Sequence, residues 1–335
     1  MTTQELTLPK AELHLHIEGT LEPELILEMA ERNGIVLPFP TLESLRAQYE
    51  FTDLQSFLNL YYANMAVLIT EADFADMTRA YLRRAQAAGV RHAEIMFDPQ
   101  AHLARGVELT TAVGGIAAAL ASSEAEFGIS TGLIAAFLRD ESEASALEVL
   151  EALLVMEAPI IGIGLDSAEV GNPPSKFVRL FGRARKAGLH LVAHAGEEGP
   201  ASYVTDALDL LGVERIDHGI RSVEDPALVA RLVAEQMPLT VCPLSNVRLR
   251  AVNTLAEHPL PRMVEAGMNV SVNSDDPAYF GGYVGTNFEA LEKEFAWGAS
   301  VAQTLASNSI RSSFASDARK REMFAELDSW VAAQG

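Results

Sequence analysis

The sequence predicts an α/β protein built as a parallel (β/α)8 barrel, and three observations carry that reading. Short apolar runs of strand character occur eight times, stretches of helical periodicity lie between them, and four runs have histidine or aspartate at or just beyond their C-terminal ends. In such a barrel the C-terminal ends of the strands form the rim where chemistry is placed.

The candidate strands are Ala11 to Ile17, Val90 to Phe97, Ile129 to Phe137, Ile160 to Leu165, Leu189 to Ala193, Arg215 to Asp217, Leu239 to Cys242 and Asn269 to Val272. Between the first two, residues from about 21 to 89 hold more than one amphipathic segment, including Phe57, Leu58, Tyr61 and Tyr62, where a simple barrel needs a single helix. These extra helices are expected to cap the barrel mouth. Thr70 and Asp73 form a capping box before Phe74, Met77, Tyr81 and Leu82, and Gly89 stands where a left-handed residue would end that helix. Asp225 and Pro226 supply an N-cap and a first-turn proline before Leu228, Val229 and Leu232. An open doubly wound sheet is the competing architecture, but no glycine-rich phosphate loop follows the first strand. No linker, repeat or low-complexity tract divides the 335 residues, so one domain over 1–335 is expected.

Composition narrows the function. Hydrophobic residues make up 49% and the net charge is −21, so this is a globular chain whose average surface repels nucleic acid and anionic membranes. Cys242 is the only cysteine, so there is no intramolecular disulfide and no cysteine zinc cluster. It reads as a small buried residue. Any metal must be held by histidine and carboxylate. No signal-like or membrane-length apolar segment is evident, and the expected compartment is the cytoplasm.

His14 and His16 are two apart in an extended run, so both imidazoles project from one face. His194, with Gly196 and Glu197 just after it, His218, and the pair Asp275 and Asp276 occupy three further strand ends. Three imidazoles and a carboxylate, with a fourth imidazole beside them, form a nitrogen and oxygen set suited to zinc. The structural alternative makes Asp275 and Asp276 helix caps and leaves His194 and His218 as buried hydrogen-bonding groups. His92, His102, His190 and His258 lie at a strand start or in loops and helices and are read as solvated or internally satisfied.

The runs AELHLHIEGTLEPE, VAHAGEE, RIDHGI, CPLSN and VNSDDPAYF, in this order, resemble the adenosine deaminase branch of the amidohydrolase superfamily. The resemblance implies a (β/α)8 barrel with one zinc ion per chain and a small-molecule purine substrate. It makes His14, His16, His194 and Asp275 the metal ligands, Glu197 the proton shuttle, His218 the group that orients the attacking water, and Asp276 the partner of purine N7. The residue types suit that chemistry. Displacing an exocyclic amine at neutral pH needs an activated water, protonation at N1 relieves the charge that builds there, and a carboxyl group at N7 fixes the ring.

Within this branch, nucleoside enzymes typically read His-x-His-Leu-Asp-Gly, where this chain has His16-Ile17-Glu18-Gly19. After the fourth strand, Ser167-Ala168-Glu169-Val170-Gly171 resembles the adenine deaminases. Glu169 is then expected to fill the ribose position and to accept the N9–H that only the free base carries, while capping a helix or pairing with Lys176 is its structural alternative. Asn172 stands where some adenine deaminases have histidine. Deaminases of adenosine, aminodeoxyfutalosine and N6-substituted adenines are the neighbouring alternatives; a phosphoester metallohydrolase lacks its expected bridging residue, and a noncatalytic barrel would not need the retained ligands and Glu197. The sequence is silent on oligomeric state.

Overall fold

The computed structural model describes residues 7–333; residues 1–6 and 334–335 of the domain expected over 1–335 lie outside the described residues. Eight strands run in sequential order around the fold: β1 (Lys10–Glu12), β2 (Val90–Phe97), β3 (Ser130–Leu138), β4 (Ile160–Asp166), β5 (His190–Ala195), β6 (Arg215–His218), β7 (Leu239–Val241) and β8 (Val270–Val272). Every neighbouring pair is parallel. With helices around it, this is a nearly closed (β/α)8 barrel.

β1 is shorter than the expected run Ala11 to Ile17. Beyond Glu12 the chain leaves a regular ladder because it bonds alternately to both neighbours. His16 N donates to Asp275 O (3.1 Å) and Asp275 N to His14 O (3.1 Å), while Ile17 N donates to Met96 O (2.9 Å) and Met96 N to Leu15 O (2.8 Å). The same few residues therefore stitch the β8 seam and set His14 and His16 at the rim.

Alternation along the strands sends side chains to two places. Ile95, Phe97, Leu133, Ala135 and Phe137 join the apolar layer shared with the outer helices, whereas Met96, Ile134, Ala136 and Val192 form a separate small cluster at alternate positions. Deeper polar groups are paired. Arg215 Nη1 lies 2.5 Å from Glu94 Oε2 and Nη2 donates to Leu13 O at 3.0 Å, with both residues fully buried. Burial alone would raise the Glu94 carboxyl, but Arg215 and His92 outweigh it and hold it at about 2.

The surplus between β1 and β2 forms four α-helices, α1 (Pro23–Asn33), α2 (Leu42–Arg46), α3 (Leu54–Asn64) and α4 (Glu71–Ala87). The Thr70 and Asp73 box opens α4 as expected, and Asp53 with Ser56 opens α3 in the same way. Gly89 follows α4 with φ +80°, and Asp225 caps the helix Pro226–Glu235 through the amides of Ala227 and Leu228. α3 sits over the C-terminal rim because its aromatic face packs on residues just after Asp276: the Phe57 ring is 4.6 Å from Phe280 and 5.5 Å from Tyr279. Such contacts add roughly 0.5 to 1.5 kcal/mol each beyond area burial. Among the described residues, no helix is long and apolar enough to cross a membrane.

Candidate active site

The rim brings His14, His16, His194, His218 and Asp275 together. One potential ligand atom from each of His14, His194, His218 and Asp275 lies within 4.8 Å of the others. His16 Nε2 joins from the side, 3.2 Å from His194 Nε2 and 3.6 Å from Asp275 Oδ1. His14 Nδ1 lies 3.3 Å from the Thr240 carbonyl oxygen, which only accepts, so Nδ1 carries the proton. Its Nε2 lone pair is then left facing inward; that atom is buried without a hydrogen-bond partner and 3.3 Å from Asp275 Oδ1.

Burial, then the neighbouring His14, His218 and His16, keep His194 well below the usual imidazole range, hence neutral. Burial would raise Asp275, but the surrounding histidines outweigh it and hold the carboxylate well below its usual range. A neutral His194 imidazole and an ionised Asp275 carboxylate are the forms in which these two groups bind a metal. The unpartnered His14 Nε2, the His16 and His194 Nε2 atoms 3.2 Å apart and the Asp275 carboxylate form a donor set that fits a divalent metal of the nitrogen and oxygen class. On the far sides of the rings, His194 Nδ1 lies 3.7 Å from Asp217 Oδ2 and His16 Nδ1 3.5 Å from Asp166 Oδ2.

Backbone strain gathers here too. Ser167, His218 and Asp275 adopt left-handed φ values of 69°, 63° and 64°, and all three line the cleft. Non-glycine residues in that region cost of order 1 to 3 kcal/mol each and persist where the surroundings impose them, commonly at functional sites.

Glu197 stands on the cleft wall with Oε2 3.4 Å from His218 Nε2. Burial, then Asp275, Glu198 and Glu169, push its carboxyl well above the usual range, which keeps it protonated. A directional chain of hydrogen bonds orients the pair. Leu260 N donates to His258 Nδ1 (3.0 Å), so His258, held neutral by burial at about 4, carries its proton on Nε2 and donates to Asn246 Oδ1 at 3.2 Å. The Asn246 amide nitrogen then donates to Glu197 Oε1 (2.8 Å) and to His218 Nδ1 (3.1 Å). His218, lowered by burial to about 3, is therefore neutral with its proton on Nε2, facing the reaction space.

Asp276 lies on the same cleft with Oδ1 buried and unpartnered. Burial, then Asp275 and Asp98, push its carboxyl well above the usual range. Gly19 makes room for it, since a Cβ there would fall 2.6 Å from the Asp276 backbone. α3 roofs the cleft with Leu54, Phe57, Leu58, Tyr61 and Tyr62.

Some residues went unrecognised in the sequence. Asp98 and Asp166 line the cleft at the ends of β2 and β4, each with an unpartnered buried Oδ1, and the strand-end signal that marked Asp275 applies to them equally. Asn246 lay inside the CPLSN run without a role, and His258, expected to be solvated or internally satisfied, is a buried link of the relay.

Glu169 requires a correction. It does not line the cleft: its two carboxylate oxygens accept the backbone amides of Gly196, Glu197, Glu198 and Gly199 at 2.7, 3.1, 2.9 and 2.7 Å. A carboxylate satisfied four times over by a buried turn neither faces N9–H nor fills the ribose position. Glu18 likewise turns away, to His102 Nε2 (2.6 Å) and Asp98 N (3.2 Å).

A (β/α)8 barrel with an imidazole and carboxylate centre at its C-terminal rim defines a hydrolase of the metal-dependent type. The family model described as adenosine deaminase matches residues 9–330, and the chain belongs to the adenosine deaminase family. Its relatives within that family include an adenine deaminase of Streptomyces coelicolor, 62% identical over 93% of this chain and 92% of the relative. The solved structure of an adenine deaminase from Arthrobacter aurescens is 71% identical, with TM-score 0.96 over 97% of this chain and 99% of that one. An amidohydrolase from Burkholderia ambifaria, solved with bound zinc, is 26% identical with TM-score 0.89 over 99% of this chain and 95% of that one.

Proposed function

We propose that this chain hydrolyses adenine to hypoxanthine and ammonia, using one zinc ion held by His14, His16, His194 and Asp275. The observation that carries the chemistry is the buried Glu197 carboxyl, 3.4 Å from His218 and held by Asn246, standing beside an imidazole and carboxylate centre in one cleft. Similarity to adenine deaminases at up to 71% identity supports the free base as substrate.

A divalent metal held by His14, His16, His194 and Asp275 would lower the pKa of water and so activate it as a nucleophile at neutral pH. Asp276 holds the ring by donating its proton to N7, an acceptor, and so turns C6 toward the centre. Glu197 gives its proton to N1 as C6 is attacked, then takes the proton of the new C6 hydroxyl and passes it to the amine, so that C6–O becomes a carbonyl as the C6–N bond breaks and ammonia leaves. His218, with its proton on Nε2, orients the attacking oxygen. α3 excludes bulk water above the ring. Product analysis tests this: adenine should yield equal amounts of hypoxanthine and ammonia. Glu197→Gln should retain metal while losing about 10² to 10⁴ in rate. Near-normal turnover by Glu197→Gln would require another proton donor.

A further inference from the structure

The turn after β5 carries His194 and Glu197 three residues apart, and its geometry decides whether both groups meet the same substrate. All four backbone amides from Gly196 to Gly199 converge on the Glu169 carboxylate, Gly196 on Oε1 and the next three on Oε2. Gly196 has φ +72°, and successive amides turned inward in this way form a concave anion nest. The approach is close enough that a Cβ on Gly199 would lie 2.6 Å from Glu169 Cδ and Oε1.

The segment that presents Glu169 is itself braced. Asn172 N donates to Glu169 O (3.0 Å) and Asn172 Nδ2 to Ala168 O (2.9 Å), while Lys176 Nζ binds Asn172 Oδ1 (2.6 Å) and Arg139 O (2.7 Å). Fully buried Arg139 joins this segment to β5, donating from Nε to Asn172 O (2.9 Å) and from Nη1 to His194 O (2.7 Å). The ends of β3 and β4 thus grip the β5 turn at two points, one at His194 and one around Glu197.

We propose that Glu169 is a positioning residue for proton transfer: its carboxylate locks the 196–199 turn so that the Glu197 carboxyl stands over the cleft beside His218. Glu169 acts through Glu197 and does not touch the purine. The inference rests on the reading of Glu197 as the proton-transfer group. Glu169→Gln places an amide nitrogen against backbone donors and loosens the turn, and a displacement of about 1 Å at a reacting group costs about 10²-fold in rate.

The test is steady-state adenine deamination by metal-loaded wild type, Glu169→Gln, Gly199→Ala and Glu197→Gln, each with its metal content and melting temperature. Expected for Glu169→Gln is a kcat lower by about 10²-fold, with KM within a few fold of wild type, metal content retained and no gain of adenosine turnover. Gly199→Ala, which presses on the same contact from the other side, should show the same split. Wild-type kcat with a raised KM, or new adenosine turnover, would mean that Glu169 contacts the purine and would overturn the proposal. A lower melting temperature with unchanged kcat per metal-loaded site would also overturn it, reducing Glu169 to a fold contact. If Glu169→Gln does not fold, Gly199→Ala decides, and its unchanged kcat rejects the clamp. An active Glu197→Gln would instead sink the Glu197 reading, so the two failures are distinguishable.

Discussion

Asn246 is the point at which one substitution changes two catalytic candidates together. Asn246→Asp keeps the shape but replaces the amide nitrogen with an oxygen, 2.8 Å from Glu197 Oε1 and 3.1 Å from His218 Nδ1. His258 still donates to the other oxygen. The new oxygen cannot donate to His218 Nδ1, so the imidazole is drawn to the tautomer protonated on Nδ1 and loses the Nε2 proton that faces the cleft. The Glu197 proton is drawn toward the new carboxylate and away from N1. Two buried groups lose their donor at about 1 to 3 kcal/mol each, or roughly 2 to 6 kcal/mol together. Falling on the transition state, that cost corresponds to about 30-fold to 10⁴-fold in kcat. Initial rates of adenine loss, normalised to bound metal and read with a thermal melt, measure it. Asn246→Ala, which removes the amide without introducing a charge, should lose less. A kcat for Asn246→Asp within a few fold of wild type, in a folded and metal-loaded protein, would refute the relay.

Three further outcomes are expected. Metal analysis of wild type should give near one equivalent per chain, and His16→Ala and Asp275→Ala should each lower it; full occupancy in both would refute the ligand set. His258→Ala should reproduce part of the Asn246→Ala loss in kcat without changing metal content, because it removes the donor that fixes the amide orientation; an unchanged kcat would detach His258 from the relay. The buried Glu94 carboxyl, held at about 2 against an ordinary value of 4.5, contributes stability that is fully present above pH 4.5 and is lost as pH falls towards 2. The shift is worth roughly 3 kcal/mol. Glu94→Gln should therefore flatten acid denaturation over that window, and an unaltered acid limb would show that Glu94 does not govern it.

The parts legible in the sequence were those whose signals are local. Strand-end placement of His194, His218 and Asp275 follows from an apolar run that stops at a polar residue, and the Thr70 and Asp73 box is read from two positions three apart. What escaped depends on long-range return of the chain or on side-chain direction. Glu169 sits near a strand end, as expected, but its carboxylate points down into a turn 27 to 30 residues later rather than into the cleft, and no local pattern encodes that choice. Asn246 and His258 gain their roles only because a loop folds back to stack donor on acceptor. Asp98 and Asp166 carry the strand-end signal, but an aspartate after an apolar run does not by itself distinguish a cleft-lining group from a helix cap.

The most direct measurement is the ratio of kcat/KM for adenine to that for adenosine, taken on the same zinc-loaded preparation with hypoxanthine and ammonia quantified as products. A clear preference for the free base is expected. A kcat/KM for adenosine equal to or above that for adenine would contradict the proposed substrate, and failure to act on either would contradict the proposed deamination itself.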